Sequence, residues 1–406
     1  MINFNDKDFI VNPYPELTKL RKIGKPIWHE ETQMFLAARY DDANATLRNK
    51  SLGRIFKPKE PESEWETFNW LHADSILDSE PPKHTRLRAL VSKAFNKNVI
   101  ESQREIIEKI VAELIDGIKA QHGNFDFAEP LPVKVIVALL GFPEEDEYLL
   151  RPWSQAIVKM YEVNPSEEVK KNAKKAASEF AAYVQKLADE RKINPSNDLI
   201  TDLVRVEEQG EKLNAHELIA TCILLLNAGH EASVNGFGNG MVALLERESE
   251  FKKLAEQPDL YSATAVEEFL RFDAPLHLFE RTATIDTEVG GVEIKKGQKI
   301  AALLGSANRD EEHFANSERM DIARDPNPHI GFGAGIHFCL GGPLARLEMG
   351  IALPRLIKAF PKMQIISDPI RRPTFVLRGY EKVEISASTS GIDCIYFKCI
   401  HLQTTI

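Results

Sequence analysis

The sequence has few cysteines and no long apolar run. Its 406 residues contain four cysteines, at positions 222, 339, 394 and 399. They are too few and too irregularly spaced for a disulfide framework or a paired-cysteine zinc site. The longest strongly apolar stretch, residues 222–226, is far shorter than the ~20 residues that a membrane span requires. The N-terminal dozen residues carry no apolar segment of signal-peptide length. These absences predict a cytoplasmic protein that does not enter a membrane.

Positive charge is also in deficit. Fifty-one Lys and Arg residues against 61 Asp and Glu residues give a net charge of -10. Such a surface disfavours nucleic acid and anionic membranes as partners. No repeat, low-complexity segment or Gly/Ser-rich linker divides the chain. We therefore predict one continuous domain over residues 1–406 and a monomer, with residues 388–406 forming an atypical C-terminal tail.

Helical periodicity dominates the middle of the chain. Apolar residues recur at three- and four-residue spacing between residues 106 and 118. Asn214, followed three residues later by Glu217, resembles a capping box that opens a helix running to about residue 245. A helix of that length is roughly 45 Å long and must pass through the core. Further helices are predicted at 41–48, 133–140, 169–189, 198–207 and 263–272.

Short β-like runs lie on either side of the helical region. They occupy residues 26–38, 282–288, 292–294 and 299–304, and a last pair is expected at 374–377 and 382–385. Residues 58–82 mix proline, acidic and aromatic residues, which predicts an irregular binding loop. The fold class is therefore mainly α with a small mixed β portion.

The segment FGAGIHFCLGGP at residues 332–343 is the most informative in the chain. Its glycines permit positive φ and the close approach of a bulky group. The loop delivers Cys339 to the start of a helix predicted at 343–360, where the helix N-terminus favours a thiolate. One cysteine cannot build a tetrahedral zinc site, but it can be the single protein ligand of a haem iron. The alternative is a buried cysteine beside a Gly-rich turn.

The spacing Phe-x-x-Gly-x-His-x-Cys-x-Gly resembles the cytochrome P-450 family of haem-thiolate monooxygenases, and the resemblance extends over about residues 41–387. It implies a P-450 fold that holds haem b between the long central helix and the helix after the cysteine loop. It also implies Cys339 as the axial iron ligand, whose thiolate favours O–O cleavage. The other loop residues that it places around the cofactor are Phe332, Gly333, His337 and Gly341.

Two further patterns resemble structural and cofactor-binding motifs of the family. Glu268 and Arg271 stand three apart on one helix face, as in its structural Glu-x-x-Arg motif, with Arg319 expected as the third member. Haem propionates require cationic or hydrogen-bonding partners. The resemblance implies His84 and Arg88, spaced i, i+4, together with Arg281 and His337 in that role. Without this context, an ordinary surface pair is the favoured interpretation of His84 with Arg88.

Within the long helix, residues 228–233, AGHEAS, resemble the oxygen-activating motif Ala-Gly-x-acid-Thr. Ala228 and Gly229 are small enough to make room for a flat cofactor, and Glu231 matches the acid. Ala232 stands where the family has threonine, and Ser233 is rotated by about 100° from it. We therefore expect water or a substrate hydroxyl to complete the proton relay, with Glu231 supplying protons indirectly. The alternative is small residues for helix packing and a solvent-facing Glu231.

The function implied is activation of dioxygen to hydroxylate or epoxidise a small apolar substrate of secondary metabolism. Electrons would come from a separate ferredoxin or flavodoxin with its reductase. The candidate pocket residues are Trp70, Ile76, Leu77, Leu224, Leu225, Asn227, Ala228, His277 and Phe279. The candidate docking patch for the electron donor contains Arg86, Lys93, Lys97 and Arg346. A peroxide-driven peroxygenase or isomerase and a non-catalytic haem-based sensor remain as alternatives.

Overall fold

The computed structural model describes residues 2–120, 130–162, 165–386 and 394–398. Over these residues the helices are α1 (Lys7–Val11), α2 (Tyr14–Arg21), α3 (Tyr40–Arg48), α4 (Glu62–Ala73), α5 (Lys83–Ala94), α6 (Lys97–Ser102), α7 (Arg104–Ala120), α8 (Pro130–Leu140), α9 (Glu147–Val158), α10 (Glu167–Ile193), α11 (Leu199–Arg205), α12 (Ala215–Leu245), α13 (Glu248–Glu256), α14 (Pro258–Phe272), α15 (Leu304–Ala307) and α16 (Gly342–Ala359). Short 3₁₀ turns lie at Glu144–Asp146, Lys159–Tyr161 and Gly335–His337.

The strands are short. They are β1 (Ile27–His29), β2 (Met34–Ala37), β3 (Leu52–Gly53), β4 (Glu207–Glu208), β5 (Glu211–Lys212), β6 (Phe279–Ala283), β7 (Thr287–Val289), β8 (Val292–Ile294), β9 (Lys299–Ala302), β10 (Gln364–Ile365), β11 (Ile370–Arg371), β12 (Tyr380–Ser386) and β13 (Cys394–Lys398). The predicted class, mainly α with a small β portion, is confirmed.

Helix α12 is 31 residues long and begins at the predicted capping box. The Asn214 side chain accepts a hydrogen bond from the Glu217 backbone N–H at 2.9 Å, and the Glu217 carboxylate accepts one from the Asn214 N–H at 3.0 Å. These bonds satisfy two of the backbone donors that every helix leaves open at its start. In the described part of the chain, no helix combines the length and apolar character needed to cross a bilayer.

The chain divides into two compact units, and the boundary between them falls inside α12. The first unit draws on the described residues of Met1–Ser51, Glu105–Pro132 and Ala232–Ile406. Its main sheet contains the run β1-β2-β9-β6, in which β2 and β9 are parallel and the other pairs are antiparallel. A second sheet is built on β12, which pairs with β10, β11 and β13. Helix α14 packs against α16.

The second unit draws on Leu52–Arg104 and Val133–Glu231. Helices α4, α9 and α11 pack against α10, whose buried face is rich in alanine and therefore admits close neighbours. The β4–β5 hairpin packs beside α5, where Lys93 donates to the Glu208 carboxylate at 2.8 Å. That the two units form a single domain stays a prediction.

The structure differs from the sequence predictions in two regions. Residues 58–82 contain helix α4, whose buried residues Trp65, Phe68 and Leu71 recur every three positions, so the prediction of a wholly irregular loop is wrong. Residues 374–377 form no strand, and their place beside β12 is taken by β11. Part of the predicted tail lies outside the described residues, but β13 pairs with β12 along Lys382–Ser386.

A buried carboxylate ties the N-terminal segment to the first unit. Asp273, at the end of α14, is 3% exposed and accepts hydrogen bonds from Tyr14, Arg371 and Arg378. Arg378 also donates to the backbone carbonyls of residues 10 and 11. Burial alone would raise the pKa of Asp273, but the charges of Arg371 and Arg378 outweigh it and hold the pKa far below its ordinary value.

We expect Asp273→Asn to lower the free energy of unfolding by about 3 kcal/mol or more, because it leaves buried arginines uncompensated. The control is Asp259→Asn. Asp259 pairs with Lys358 at an exposed site, where such a pair contributes little.

The stability lost in Asp273→Asn is expected to depend on pH. Since folding lowers the pKa of Asp273, its stabilisation is complete above the ordinary value of 3.8 and is lost as the pH falls below it. In urea titrations, the gap between wild type and Asp273→Asn should be smaller at about pH 3 than at about pH 7. Equal losses in the two variants at neutral pH would contradict the prediction.

Candidate functional site

The cysteine loop is anchored on both sides within the first unit. Ile330 and Ala334 are buried in an apolar cluster with Tyr40 and Leu47 of α3. The Ile330 N–H donates to the Asn308 side chain at 2.8 Å. Gly335, with φ of 71°, sits so close to the Leu47 carbonyl that a Cβ would lie 2.4 Å from it. The loop therefore has a fixed position, which a bulkier residue at 335 would disturb.

Cys339 is held at the end of this loop. Its N–H donates to the Phe332 carbonyl at 3.0 Å, which closes the loop. The residue is half-buried, and α16 starts three positions later at Gly342. A single soft thiol, kept accessible before a helix N-terminus, fits a haem iron and does not fit a tetrahedral zinc site.

The ion pair predicted between Glu268 and Arg271 is confirmed. Both side chains are fully buried, and two hydrogen bonds of 2.8 and 2.7 Å join them. The expected third member is wrong, however. Arg324 donates from Nε to the Glu268 carboxylate at 3.2 Å, whereas Arg319 offers only its backbone carbonyl to Arg271 and has an exposed side chain. The reason is that the chain folds back after Arg319, which brings residue 324 to the carboxylate.

The four predicted propionate partners are divided between the units. In the second unit, His84 is buried and Arg88 half-buried, and they share one face of α5. In the first, Arg281 is 1% exposed on β6 and lies 4.4 Å from the Phe279 ring centroid, and His337 is half-buried in the loop. Their donor chemistry fits carboxylate groups. Their role towards propionates stays a prediction.

Helix α12 carries an open strip halfway along its length. Ala228 is exposed, and Leu224, Leu225 and Ala232, three or four positions away and on the same side of the helix, are half-buried, although most of the helix is buried. Small and apolar residues at these positions fit a flat cofactor and an apolar substrate. Gly229, on an adjacent side of the helix, faces α8, since a Cβ there would lie 3.0 Å from the Ile136 side chain. Its small size therefore serves helix packing as well.

The polar residues of this stretch are not solvent-facing. Glu231 is 4% exposed, so the alternative of a solvated Glu231 is wrong. Its Oε1 atom lies 3.9 Å from His230 Nδ1. Asn227 is also 4% exposed, and its side-chain oxygen accepts no hydrogen bond among the described residues. A buried acceptor without a donor is costly, which makes Asn227 a candidate for binding water or substrate.

Several predicted pocket residues have other neighbours. Trp70 stacks on His216, whose ring centroid lies 4.1 Å away, near the start of α12. His277 is fully buried against the Tyr14 and Phe375 rings, and burial holds its pKa well below the ordinary value. The remaining candidates are Ile76, which is buried, and Leu77, Leu224 and Phe279, which are half-buried; their role as pocket walls stays a prediction.

Three members of the predicted docking patch are already paired. Arg86 binds Glu217, Lys93 binds Glu208, and Arg346 binds Glu267. Their charges are therefore largely neutralised within the chain. Among the described residues, Lys97 is the member for which we find no ion pair.

Sequence reasoning missed several residues near the loop. Glu267, His329 and Arg324 bind side chains distant in sequence, and no local pattern indicates such contacts. Glu348 on α16 is 3% exposed, and burial raises its pKa well above the ordinary value. The sequence does indicate that Glu348 is buried, since it lies between Leu344 and Ala352 on the apolar face of the helix.

Comparison with known proteins identifies the family. The sequence model of the family described as Cytochrome P-450 matches residues 147–375, more than half of the chain. A putative cytochrome P-450 of Bacillus subtilis (strain 168), YjiB, is 40% identical over 90% of this chain and 92% of its own length. The polyketide biosynthesis cytochrome P-450 PksS of the same strain is 39% identical over 96% and 99%.

A solved structure agrees with these relatives. The crystal structure of P450BioI, in complex with an acyl carrier protein ligated to hexadec-9Z-enoic acid, superposes with a TM-score of 0.89. It is 33% identical and covers 94% of this chain and 99% of that chain. The present chain therefore belongs to the cytochrome P-450 family, whose members are haem-thiolate monooxygenases.

We expect Arg324→Ala to destabilise the protein by about 1.5–3 kcal/mol, the range for a hydrogen bond to a buried charged group. Arg319→Ala is the matched control and should have little effect, because its side chain is exposed while its carbonyl is retained. Thermal unfolding of both variants measures the difference. A larger loss in Arg319→Ala would restore the assignment made from the sequence.

Proposed function

We propose that this protein is a monooxygenase that uses haem b and dioxygen to hydroxylate or epoxidise an apolar organic substrate. The observation that carries the proposal is the presentation of Cys339 by an anchored loop in a chain of this family. Electrons come from a separate ferredoxin or flavodoxin with its reductase. The sparse cysteines support a reducing, cytoplasmic location.

The chain provides partners for each part of the cofactor. Cys339 would be the protein ligand of the iron, and His84, Arg88, Arg281 and His337 would bind the propionates. The loop residues Phe332, Gly333 and Gly341 would lie beside the macrocycle. When bound, haem supplies the redox-active iron for dioxygen chemistry.

The residues of α12 bind and orient the substrate. Leu224, Leu225 and Ala228 offer apolar surface on the open strip, and Asn227 offers a buried polar anchor. This composition favours a molecule that is mainly hydrocarbon with one or a few polar groups.

The relatives favour an acyl or polyketide chain as the substrate. PksS is a polyketide biosynthesis protein by name, and P450BioI was crystallised with a fatty-acyl carrier protein. Such chains are apolar and carry occasional oxygens, which agrees with the residues of the open strip. As a second candidate, we therefore propose a substrate chain that is attached to a carrier protein.

Proton delivery requires a donor from outside residues 228–233 of α12. Glu231 is the buried acid, Ala232 has no hydroxyl, and Ser233 is rotated by about 100° around the helix. We assign the missing donor to a water or a substrate hydroxyl, with Glu231 supplying protons to it.

We expect Ala232→Thr to change the rate and the product formed per electron pair by at least about two-fold, because its hydroxyl competes with the water or substrate hydroxyl. Ser233→Ala is the control and should leave both unchanged. The measurement is product formed against reduced cofactor consumed, with the native substrate. Unchanged coupling in Ala232→Thr would remove support for the substrate-assisted relay.

We expect the reduced protein with carbon monoxide to show the red-shifted Soret band of a thiolate ligand. Cys339→His should lose this band because imidazole replaces the thiolate. Cys222→Ala should keep it, since Cys222 is buried in α12 and burial raises its pKa to about 12. A band that persists in Cys339→His, or that is absent from the native protein, would overturn the haem-thiolate assignment.

Two further measurements separate the alternative functions. Turnover with hydrogen peroxide that exceeds turnover with electron donors favours a peroxygenase or isomerase. Ligand binding without product under every electron supply favours a haem-based sensor. Product formation that requires an electron donor and dioxygen supports the monooxygenase.

A further inference from the structure

A carboxylate outside the family motifs joins the two ends of the cysteine loop. Glu267 of α14 accepts from Arg346 Nε and Nη2 at 2.7 and 2.9 Å, and its Oε2 lies 3.0 Å from His329 Nε2. His329 precedes the loop and Arg346 follows it on α16. We call these three residues the Glu267 clamp.

The histidine in the clamp has a defined tautomer. The Gly331 N–H donates to His329 Nδ1 at 3.1 Å, so Nδ1 is the acceptor and the proton resides on Nε2. His329 therefore donates from Nε2 to Glu267 while its other nitrogen holds the backbone at Gly331. The side chain is 2% exposed, which protects both bonds from competition by water.

Arg346 acts on the same stretch of chain from the opposite side. Its guanidinium lies 4.4 Å from the centroid of the Phe332 ring, and a Cβ on Gly342 would contact both groups at 3.5 Å. Phe332 is the residue whose carbonyl accepts from the Cys339 N–H. The hydrogen bonds that Arg346 donates to Glu267 raise the pKa of Arg346 against the effect of burial.

The Glu267 carboxylate carries its charge at neutral pH. Burial would raise the pKa of Glu267, but the hydrogen bonds from His329 and Arg346 lower it to about 2. The carboxylate is therefore ionised at neutral pH and accepts from both partners at once. One anion then restrains Gly331 through His329 and Phe332 through Arg346.

We propose that Glu267 is a positioning residue for Cys339, holding the loop in the geometry in which the thiolate binds iron. This inference rests on the proposed function, in which Cys339 is the axial ligand. Partners of this kind, one step removed from a metal ligand, fix its orientation and are costly to remove.

The test is Glu267→Gln in the haem-loaded enzyme. Glutamine keeps the size of the side chain, but it has no charge and only one acceptor oxygen, so it cannot accept all three hydrogen bonds that Glu267 accepts. The control is Glu108→Gln, which breaks the 2.8 Å ion pair of Glu108 with Arg355, farther along the same helix. That pair makes no contact with the loop among the contacts that the structure describes.

The readout is the rate at which the reduced carbon monoxide complex loses its thiolate-type Soret band under mild urea. We expect this rate to rise about ten-fold in Glu267→Gln, as for the loss of a second-layer partner of a metal ligand. It should stay within about two-fold of wild type in Glu108→Gln. Thermal unfolding of both variants separates loop positioning from general destabilisation.

A second variant keeps the test decisive if Glu267→Gln binds no haem. Arg346→Lys preserves the charge but loses the two-pronged bond and the stacking on Phe332, so the band should be lost faster than in wild type, though by less than ten-fold. Band loss at the wild-type rate in either variant would overturn the inference. A wild-type protein without the thiolate band would instead overturn the proposed function, which keeps the two failures distinct.

Discussion

The fully buried ion pair of Glu268 and Arg271 is the constraint on which the cysteine loop depends. Arginine has five N–H donors, and here all five are used: two bond Glu268 and three bond the backbone carbonyls of residues 308, 317 and 319. Glu268 accepts in return from the Asp321 N–H, Arg324 and Asn327. Because neither charge reaches water, any unmade bond is costly, so residues 308–327 have little freedom. Asn308, whose carbonyl is bound by Arg271, also accepts a hydrogen bond from the Ile330 N–H at the start of the loop.

The cost of burying a charge also bears on which cationic side chains of this acidic protein lie in the core. Among the described residues, the buried cations other than histidine are all arginines, and no lysine is buried. A planar guanidinium is less strongly hydrated than an ammonium and bonds several acceptors at once, so it crosslinks segments distant in sequence. Arg21 thus reaches Glu311, and Arg378 reaches the N-terminal carbonyls. Surface cations are paired as well: Arg86 binds Glu217, Lys93 binds Glu208 and Arg346 binds Glu267, so three members of the predicted basic patch already have partners within the chain.

What the sequence predicts depends on how local the interaction is. The capping box of α12 and the Glu268–Arg271 pair span three residues, and both were predicted because helix geometry alone brings such neighbours together. The third arginine was assigned wrongly because the path of residues 317–327 is irregular, and no periodicity tells which side chain returns to Glu268. Trp70 and His277 were assigned to the pocket by resemblance, but their actual neighbours, His216 and Tyr14, depend on tertiary packing.

Adjacent small residues of α12 have different surroundings, because successive residues of a helix point in directions about 100° apart. Ala228 and Ala232 are four apart and share the open strip, whereas Gly229 faces Ile136 and has Ser233 four positions on. A serine on the Gly229 side cannot present its hydroxyl where a threonine at 232 would, because a rotation of about 100° separates them. A backbone shift that moved the Ser233 hydroxyl towards that position would also move Gly229 relative to Ile136, whose side chain would lie only 3.0 Å from a Cβ at residue 229. The tight packing at Gly229 and the open strip at Ala228 and Ala232 are therefore separate features of the same turn of helix.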